Sequence, residues 1–397
     1  MNSRTKTQRR VAIVGAGIVS PLGFGLRETS QSLQTAKDCV SPVEAFSVEK
    51  TRCKTAGQIA DSVLLGTRPN RRDRRLHRAS YMLMHALDEV LCRAPQFRPE
   101  IAIVGTTSGG MSFGENFYRR LGGGECAAAW IANYPPQKQV VDALEKFGID
   151  APAQIIANAC ASGTNAIGHA FASVRGGRYD HVLTGGYDAL SELVFVGFDC
   201  LQASTMEKCR PFDAGRSGMV LGEGAALLAL EDFDSAVSRG ADILGEVVGY
   251  GISTDNHHIT QPNPDGSGPR RAIEQAIDDA GLRPDSIGYI NAHGTATVFN
   301  DAAEGKAIMQ MFNGVPVSST KSMMGHSLGA AGAIEAVITL LALREQFLPP
   351  NINFRHADPG LKLNVVANEA QKAQFAYGLS NSFGFGGANA SIVLAKA

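Results

Sequence analysis

The 397-residue sequence lacks both a CxxC cysteine pair and a marked excess of either charge. Its seven cysteines are odd in number and irregularly spaced, at positions 39, 53, 92, 126, 160, 200 and 209. This pattern argues against a disulfide framework and indicates reduced thiols, so we expect a cytoplasmic protein. The 37 basic and 38 acidic side chains give a net charge of −1. Such near-neutrality argues against wholesale binding to nucleic acid or to an anionic membrane.

Long apolar runs are also missing. The most apolar predicted helix, Gly332 to Arg344, has 13 residues, whereas a bilayer span needs roughly 20. We therefore predict a core helix and no membrane association. Near the start, Val11 to Val14 imitates a secretory signal, but no small-residue cleavage site follows, so we expect no signal peptide. Gly15 and Gly17 instead predict a turn directly after a short first strand. Because Ser20 replaces the third glycine of a dinucleotide fingerprint, no nucleotide cofactor is predicted.

Apolar strands alternate with amphipathic helices along the chain, and this order predicts an α/β fold. A polar stretch from Glu231 to Ala241 separates two parts in which a strand, a glycine-rich turn, a helix and a strand follow one another. We therefore predict a first half over residues 1–235 and a second over residues 236–397. The pattern shows no simple repeat of residues, so it leaves open whether the halves are duplicates.

The stretch from Ile155 to Ala170 places Cys160 between an apolar strand and a helix. Small residues follow the cysteine at once, so a substrate can approach the sulfur closely. The N-terminus of the helix offers unpaired N–H groups and the positive end of the helix dipole, which favour the nucleophilic thiolate. A free cysteine in apolar surroundings is more often a small buried hydrophobe. The position at a strand-to-helix turn is what favours a catalytic role here.

Three stretches of the second half carry polar groups suited to chemistry. His293 follows a predicted strand, Lys321 and His326 precede the core helix, and Gly384 to Gly387 form a glycine-rich turn. Each also has an ordinary interpretation, as a core histidine, a solvated lysine or a simple turn. Together with Cys160 they match carbon–carbon bond formation between thioesters. That reaction needs a nucleophile that holds an acyl group, donors for an enolate and an oxyanion hole.

Zinc is the metal that these residue types would favour. No carboxylate or cysteine stands at a useful spacing from the histidines, so the zinc hypothesis is weak. We therefore predict no metal site from the four candidates, His257, His258, His293 and His326.

Four motifs stand in order along the chain, namely Ala159-Cys-Ala-Ser-Gly163, His293-Gly-Thr-Ala-Thr297, Lys321-Ser-Met-Met-Gly-His326 and Gly384-Phe-Gly-Gly387. They resemble the β-ketoacyl-[acyl carrier protein] synthases of the elongating Cys-His-His type, which belong to the thiolase superfamily. The likeness runs from Val11 to the final strand, with nothing large inserted. It implies a thiolase-like duplicated fold of five αβαβα layers, usually dimeric. The nucleophile would lie in the first half, and the histidines, lysine and glycine-rich loop in the second.

The resemblance also implies a reaction, the decarboxylative Claisen condensation. Cys160 would take an acyl group from an acyl carrier protein, and the backbone N–H groups of Cys160 and Phe385 would hold the oxyanion. Malonyl-carrier would then lose carbon dioxide, and the enolate would be stabilised by His293 and His326. Attack on the acyl group would give a β-ketoacyl-carrier two carbons longer.

Further positions of the family concern support and binding. Lys321 would pair with Glu335 and orient the imidazoles without acting as the base. Thr295 and Thr297 would hydrogen-bond the pantetheine arm, and Phe385 would also gate the acyl chain. The arm arrives on the carrier protein, so no free cofactor is implied. A basic cluster would dock the acidic carrier in a salt-sensitive way, through Arg71, Arg72, Arg74, Arg75 and Arg78.

Two departures from the family pattern bear on the acyl chain. Ser108 stands where primary fatty-acid members commonly have isoleucine or glycine at the acyl pocket, and Ser217 stands where an acidic residue is expected. A small residue at 108 would relieve a steric wall, so our hypothesis is an unusual acyl chain, such as a rigid polyene or aryl one. The sequence leaves open the chain itself, the pathway and whether the dimer is homo- or heteromeric.

Three other functions compete with elongation. A chain-length-factor partner subunit replaces the nucleophile, whereas Cys160 is intact. A non-elongating acyltransferase typically loses the second histidine, and His326 is present. A degradative thiolase would need a second cysteine near the C-terminus, where only Gly384 to Gly387 is found.

Overall fold

Strands and helices alternate through the first half of the chain, as predicted from the sequence. The computed structural model describes residues 8–65, 76–123 and 128–397. The strands of the first half are β1 (Val11–Ser20), β2 (Gly23–Phe24), β3 (Ser41–Pro42), β4 (Thr55–Gly57), β5 (Ile101–Gly105), β6 (Ala153–Ile156), β7 (His181–Asp188), β8 (Leu221–Gly222) and β9 (Gly224–Asp232). The helices are α1 (Gly25–Gln34), α2 (Asp61–Leu64), α3 (Arg78–Arg93), α4 (Met111–Gly122), α5 (Ala128–Ile131), α6 (Pro136–Lys146), α7 (Ser162–Arg175), α8 (Glu192–Cys200) and α9 (Phe233–Ser238).

The second half repeats this alternation with fewer helices. Its strands are β10 (Gly245–Thr254), β11 (Tyr289–Asn291), β12 (Pro316–Ser318), β13 (Phe347–Leu348), β14 (Asn364–Val365), β15 (Gln371–Lys372), β16 (Tyr377–Gly384) and β17 (Ala388–Ala395). Its helices are α10 (Ser267–Asp279), α11 (Val298–Met311), α12 (Lys321–Met324) and α13 (Ala331–Glu345). In the described parts of the chain, no helix combines the length and the apolar character needed to cross a membrane.

The main sheet shows the same strand order twice. Outward from its centre, the first half runs β1, β9, β7, β5 and β6, and the second runs β10, β17, β16, β11 and β12. Parallel and antiparallel pairs also match between the halves, which meet where β1 pairs with β10. The duplication that the sequence left open is therefore present in the topology. The predicted boundary between residues 235 and 236 falls within α9 and stays a prediction.

Helices separate the two half-sheets and cover their outer faces. Helices α7 and α13 each contact strands of both half-sheets and form the central layer, while α3 and α6 cover the first half and α10 and α11 the second. One apolar cluster fills both sides of the central layer, and two further clusters lie beneath the outer helices of the first half and of the second half. The prediction of a five-layered αβαβα fold is thus confirmed.

The first strand differs from the prediction. A turn was expected at Gly15 and Gly17, but β1 continues through both and the chain turns only after Ser20. The reason is close packing against α3, because a Cβ at Gly17 would overlap the carbonyl oxygen of Ala86. These glycines make room for a helix and do not bend the chain.

Small residues allow α7 and α13 to pack closely in the central layer. A Cβ at Gly163 would lie 2.8 Å from the amide nitrogen of Ala333, and one at Gly332 would lie 2.7 Å from that of Thr164 and overlap its hydroxyl. Real Cβ atoms do not approach backbone atoms this closely, so larger residues would push the helices apart.

We expect Gly332→Ala to lower the free energy of unfolding by about 1–3 kcal/mol, because overpacking forces the helices to shift. Gly197→Ala in α8 is the matched control, since a Cβ built there meets nothing within 4 Å. Alanine has a helix propensity about 1 kcal/mol better than that of glycine, so the control should be neutral or stabilising. Urea unfolding measures both variants, and equal stabilities would contradict the close packing.

Candidate active site

Cys160 lies in the turn between β6 and α7, where the sequence predicted it. The preceding Ala159 has a left-handed backbone (φ 46°), which is unfavourable for a residue with a Cβ. Hydrogen bonds hold this turn, because the Ala159 carbonyl accepts from the hydroxyls of Ser162 (2.6 Å) and Thr107 (3.0 Å). The Asn158 amide also donates to the Ser162 hydroxyl at 2.8 Å. The turn therefore holds the sulfur at the start of α7.

The structure brings Cys160 together with both predicted histidines. His293 follows β11, and His326 follows α12. The Cys160 Sγ lies 3.0 Å from His326 Nε2, and the two imidazole rings are 5.2 Å apart at 86°. One donor atom from each of the three residues lies within 4.8 Å of the others, and all three residues are buried. A single reacting atom can thus contact all three groups.

Cys160, His293 and His326 are also the single group of His, Cys, Asp or Glu side chains, within the described residues, whose ligand atoms lie close enough together to hold a metal ion. This set combines Cys160 with His293 and His326, a combination that sequence spacing did not suggest. It leaves out His257 and His258, which are exposed.

Burial controls protonation at the site. Desolvation lowers the pKa of His293 and of His326 well below the ordinary value, and the nearby Lys321 ammonium lowers both further. Both rings are therefore neutral near neutral pH. Desolvation raises the pKa of the Cys160 thiol to about 12, although Lys321 opposes the rise. The thiolate expected from the helix N-terminus is thus disfavoured, because removal from water favours the neutral thiol. Attack by the sulfur must be coupled to loss of its proton.

Lys321 and Glu335 form an ion pair that is completely removed from solvent. The Lys321 ammonium donates to the Glu335 carboxylate, and neither side chain is exposed. Burial raises the pKa of Glu335, and the charge of Lys321 opposes the rise. The pair joins α12 to α13 directly behind the histidines, so the resemblance and the geometry agree on this contact.

The glycine-rich turn closes the site from the other side. The backbone N–H of Phe385 donates towards the Cys160 sulfur. A Cβ at Gly384 would lie 3.1 Å from the Cys160 amide nitrogen, and Gly386 and Gly387 have left-handed backbones (φ 82° and 77°). Glycine permits both the close approach and this conformation. The turn thus presents a backbone amide beside the sulfur, as an oxyanion hole requires.

A cavity of about 200 Å³ leads from the protein surface to these groups. Thr295 and Thr297 line it, with their hydroxyls 2.9 Å apart, and Phe385 lines it beside Phe198 with ring centroids 5.5 Å apart. Its lining also includes three exposed apolar residues, Leu201, Val298 and Phe299. A narrow passage with hydroxyls along it and sulfur at its end suits a long thioester-bearing arm.

Family models match two regions of the chain. Residues 143–236 match the beta-ketoacyl synthase N-terminal domain, and residues 244–355 match the C-terminal domain of the same enzymes. The chain is 35% identical to "3-oxoacyl-[acyl-carrier-protein] synthase 2" of Synechocystis sp., with 98% of each chain covered. A protein of the same name from Staphylococcus aureus strain MRSA252 is 36% identical over 98% of each chain. The chain belongs to the β-ketoacyl synthase family.

Solved structures of other β-ketoacyl synthases agree. The ishigamide ketosynthase/chain length factor has a TM-score of 0.90 and 32% identity, with 98% of this chain and 100% of that chain covered. A beta-ketoacyl synthase from Burkholderia phymatum gives the same TM-score, identity and coverage. The elongating-type resemblance stated from the motifs is thus confirmed at the level of the family and the thiolase-like fold.

Two sets of predicted β-ketoacyl synthase positions are not among the described residues of the cavity. Ser108 does not belong to the described residues that line the cavity. It is buried, its amide donates to Asp188 at 2.8 Å, and its hydroxyl has no hydrogen-bond partner among the described residues. Four arginines of the predicted docking cluster lie outside the described residues, namely Arg71, Arg72, Arg74 and Arg75.

Arg78 is the one residue of that docking cluster that the structure describes. Its guanidinium forms a bidentate ion pair with Glu223, which is fully buried, and a second ion pair with Asp61. Only 17% of the Arg78 side chain is exposed. These contacts argue against docking by Arg78, because its guanidinium is already bound to two carboxylates of its own chain; the docking role stays a prediction.

Sequence reasoning missed two carboxylates of α11 that hold the histidine loop. Glu304 accepts from the backbone amides of His293 and Gly294, both at 2.8 Å, and burial raises its pKa to about 7. Asp301 accepts from the Ala296 amide at 3.2 Å, and burial raises its pKa to about 6. The available signal was two acids three residues apart near the start of a helix that directly follows the histidine motif.

We expect Lys321→Met to destabilise the protein by about 3–5 kcal/mol, because it leaves Glu335 buried without its cation. Loss of the lysine also raises the pKa of Glu335 further above its value in the unfolded chain. Between those two pKa values the unfolded state binds fewer protons than the folded state, so stability falls as pH rises. The loss should therefore be larger near pH 8 than near pH 5 in urea unfolding.

The double variant Lys321→Met/Glu335→Leu is the control, because it removes both charges. It should lose most of the extra pH dependence of the single variant. A loss of stability in Lys321→Met that is equal at both pH values would show that Glu335 is not held ionised by this lysine.

Proposed function

We propose that this β-ketoacyl synthase catalyses the decarboxylative Claisen condensation of malonyl-acyl carrier protein with an acyl group held on Cys160. The observation that carries the proposal is the convergence of Cys160, His293 and His326 at the end of one cavity. The product is a β-ketoacyl-acyl carrier protein two carbons longer.

The first step moves the acyl group onto the enzyme. Cys160 Sγ attacks the thioester carbonyl of acyl-carrier, and the bond from that carbon to the pantetheine sulfur breaks. The thiol proton ends on the departing carrier thiol, so both imidazoles are neutral before and after the step. The amides of Cys160 and Phe385 hold the carbonyl oxygen while it carries negative charge, a role that typically lowers the barrier by several kcal/mol.

The second step makes the carbanion and consumes it. Malonyl-carrier loses carbon dioxide, and the thioester oxygen of the resulting enolate accepts from the Nε2–H groups of His293 and His326. Neutral rings suit this role, since they donate a hydrogen bond without protonating the enolate. The enolate carbon attacks the acyl carbon, the bond to Cys160 Sγ breaks, and the released thiolate takes up a proton from solvent. Release of carbon dioxide drives a condensation that is otherwise uphill.

Several residues support these steps in the proposal. Lys321, paired with Glu335, orients the imidazoles and supplies positive potential where the malonyl carboxylate enters. Thr295 and Thr297 hydrogen-bond the pantetheine arm along the cavity, and Phe385 gates the acyl chain. Phosphopantetheine arrives on the carrier, so the enzyme needs no free cofactor. The carrier docks through Arg71, Arg72, Arg74 and Arg75.

The partners follow from the related proteins. One solved structure with 28% identity is a type II PKS acyl-carrier protein in complex with its ketosynthase, and another is a ketosynthase in complex with its chain length factor. We propose that this chain acts in the cytoplasm on an acyl carrier protein, as a homodimer or as a heterodimer with a related subunit. Intact Cys160 and His326 favour the catalytic member of such a pair.

The decisive test is mass spectrometry of the protein mixed with acyl-carrier and then malonyl-carrier. We expect an acyl adduct on Cys160, its absence in Cys160→Ala, and a carrier product two carbons longer. His293→Ala should keep the acyl adduct but lose roughly 100-fold or more in condensation, since it removes an enolate donor. An acyl adduct without elongation would favour the non-elongating acyltransferase, and no adduct at all would favour a non-catalytic subunit.

The acyl chain itself is a finer proposal. We expect rigid conjugated acyl-carriers to be elongated faster than saturated ones of equal length, because Ser108 is smaller than the isoleucine that family members have there when they do not have glycine, although Ser108 is not among the described residues of the cavity. Rates with matched saturated and polyene acyl-carriers measure this, and Ser108→Ile should reverse the preference. A preference of the unchanged enzyme for medium saturated chains would refute the idea.

A further inference from the structure

Asp188 ends β7 as a completely buried carboxylate that the mechanism above does not use. Its Oδ1 accepts from the Thr106 hydroxyl (2.7 Å) and the Ser108 amide (2.8 Å). Its Oδ2 accepts from the Thr107 amide (2.9 Å) and the Gly329 amide (2.7 Å). Three donors lie on the loop after β5 in the first half, and the fourth lies in the second half. One carboxylate therefore joins the two halves of the fold.

The Asp188 hydrogen bonds reach two segments, the loop after β5 and the turn at Gly329, and each segment leads to a candidate catalytic group. On one side, the Thr107 hydroxyl donates to the carbonyl of Ala159, the residue before Cys160. On the other side, Gly329 follows His326 by three residues in a short 3₁₀ turn, Leu328–Ala330. Asp188 is thus connected to Cys160 through Thr107 and Ala159, and to His326 through the short chain segment that ends at Gly329.

Each of these two connections also includes a residue whose backbone conformation is unfavourable. Ala159 and Leu328 have left-handed conformations (φ 46° and 52°), which cost roughly 1–2 kcal/mol for a residue with a Cβ. The segments touch, because a Cβ at Gly329 would overlap the Thr107 amide nitrogen. Such conformations persist only where the surroundings hold them, and the Asp188 carboxylate supplies four hydrogen bonds for that purpose.

We propose that Asp188 is a positioning residue that sets the distance between the Cys160 sulfur and His326 Nε2 across the two halves. The proposal rests on the proposed function, since it assigns Asp188 to the acylation of Cys160. It predicts that the carboxylate governs how fast the sulfur reacts and leaves the affinity for the carrier unchanged.

Asp188 also acts on the charge of the site. Besides burial, which raises the pKa of the Cys160 thiol most, the Asp188 and Glu335 carboxylates raise it and the Lys321 ammonium lowers it. Among the described residues, the two neutral histidines are further titratable groups beside the sulfur. Loss of the Asp188 charge therefore moves the thiol pKa downward, which a purely structural residue would not do.

Asp188→Asn is the informative variant. An amide accepts at one end only, so two of the four donors would face an NH₂ group whichever way the side chain turns. We expect kcat for condensation and the rate of Cys160 acylation to fall about 10- to 100-fold from misplacement of the reacting pair, with KM for the carrier unchanged. Alkylation of Cys160 by iodoacetamide, followed on its own peptide by mass spectrometry, should shift to lower pH.

Glu89→Gln is the matched control, because Glu89 accepts from two backbone amides, those of Ile18 (3.2 Å) and Leu26 (2.8 Å), away from the cavity. It should lose stability without a change in acylation rate or alkylation profile. Asp188→Asn behaving in the same way would overturn the proposal.

Thr107→Val covers the case in which Asp188→Asn does not fold. It removes only the hydroxyl that reaches Ala159, at an exposed position, and should slow acylation by a smaller factor. An unchanged acylation rate in Thr107→Val would then overturn the proposal. Cys160→Ala separates the two hypotheses. An acyl adduct that survives this change would refute the proposed function, whereas loss of the adduct in Cys160→Ala together with an unchanged acylation rate in Asp188→Asn would refute the role of Asp188 alone.

Discussion

The close contact between α7 and α13 is the constraint on which the site depends. Helix α7 begins beside Cys160, and α13 carries Glu335 and follows the segment with Lys321 and His326. The helices come from different halves, so the candidate catalytic groups meet only when the halves are packed together. Glycine and alanine at the crossing permit this approach. The same small residues therefore serve core packing and the alignment of sulfur with imidazole.

Burial of the site also determines which of its side chains are charged. Isolated ions are costly in a buried site. The histidines are accordingly neutral, the thiol is protonated, and the charge of Lys321 is balanced by its ion pair with Glu335. Carboxylates around it are instead satisfied by backbone amides, as with Glu304. This arrangement places hydrogen-bond donors at fixed positions around the sulfur, so charge that develops there during a reaction meets preorganised donors.

The sequence was informative where chemistry requires a fixed residue type at a fixed place in an element. Cys160 at a strand-to-helix turn and His293 after a strand could be placed from local pattern, and the family motifs fixed the five-layered fold. Long-range facts were out of reach. The pKa of Cys160 depends on the depth of burial, Gly17 serves a helix remote in sequence, and Arg78 meets a carboxylate in another segment. Each of these follows from tertiary packing, which local pattern does not contain.

The pairing of β1 with β10, which joins the two half-sheets, has a consequence for the order of the strands along the chain. Val11 in the first strand pairs with Val247, which pairs in turn with Leu394 in the last strand. The first strand, β1, and the last strand, β17, therefore both pair with β10 and lie on its two sides. Neighbouring strands lie about 5 Å apart, so the first and last strands are close in space. A circularly permuted polypeptide, opened at the exposed Gly240 and joined between the last and first strands by a short linker, would retain every pairing of the sheet. In the described sheet, the strand pairings themselves thus do not require either half to come first in the chain.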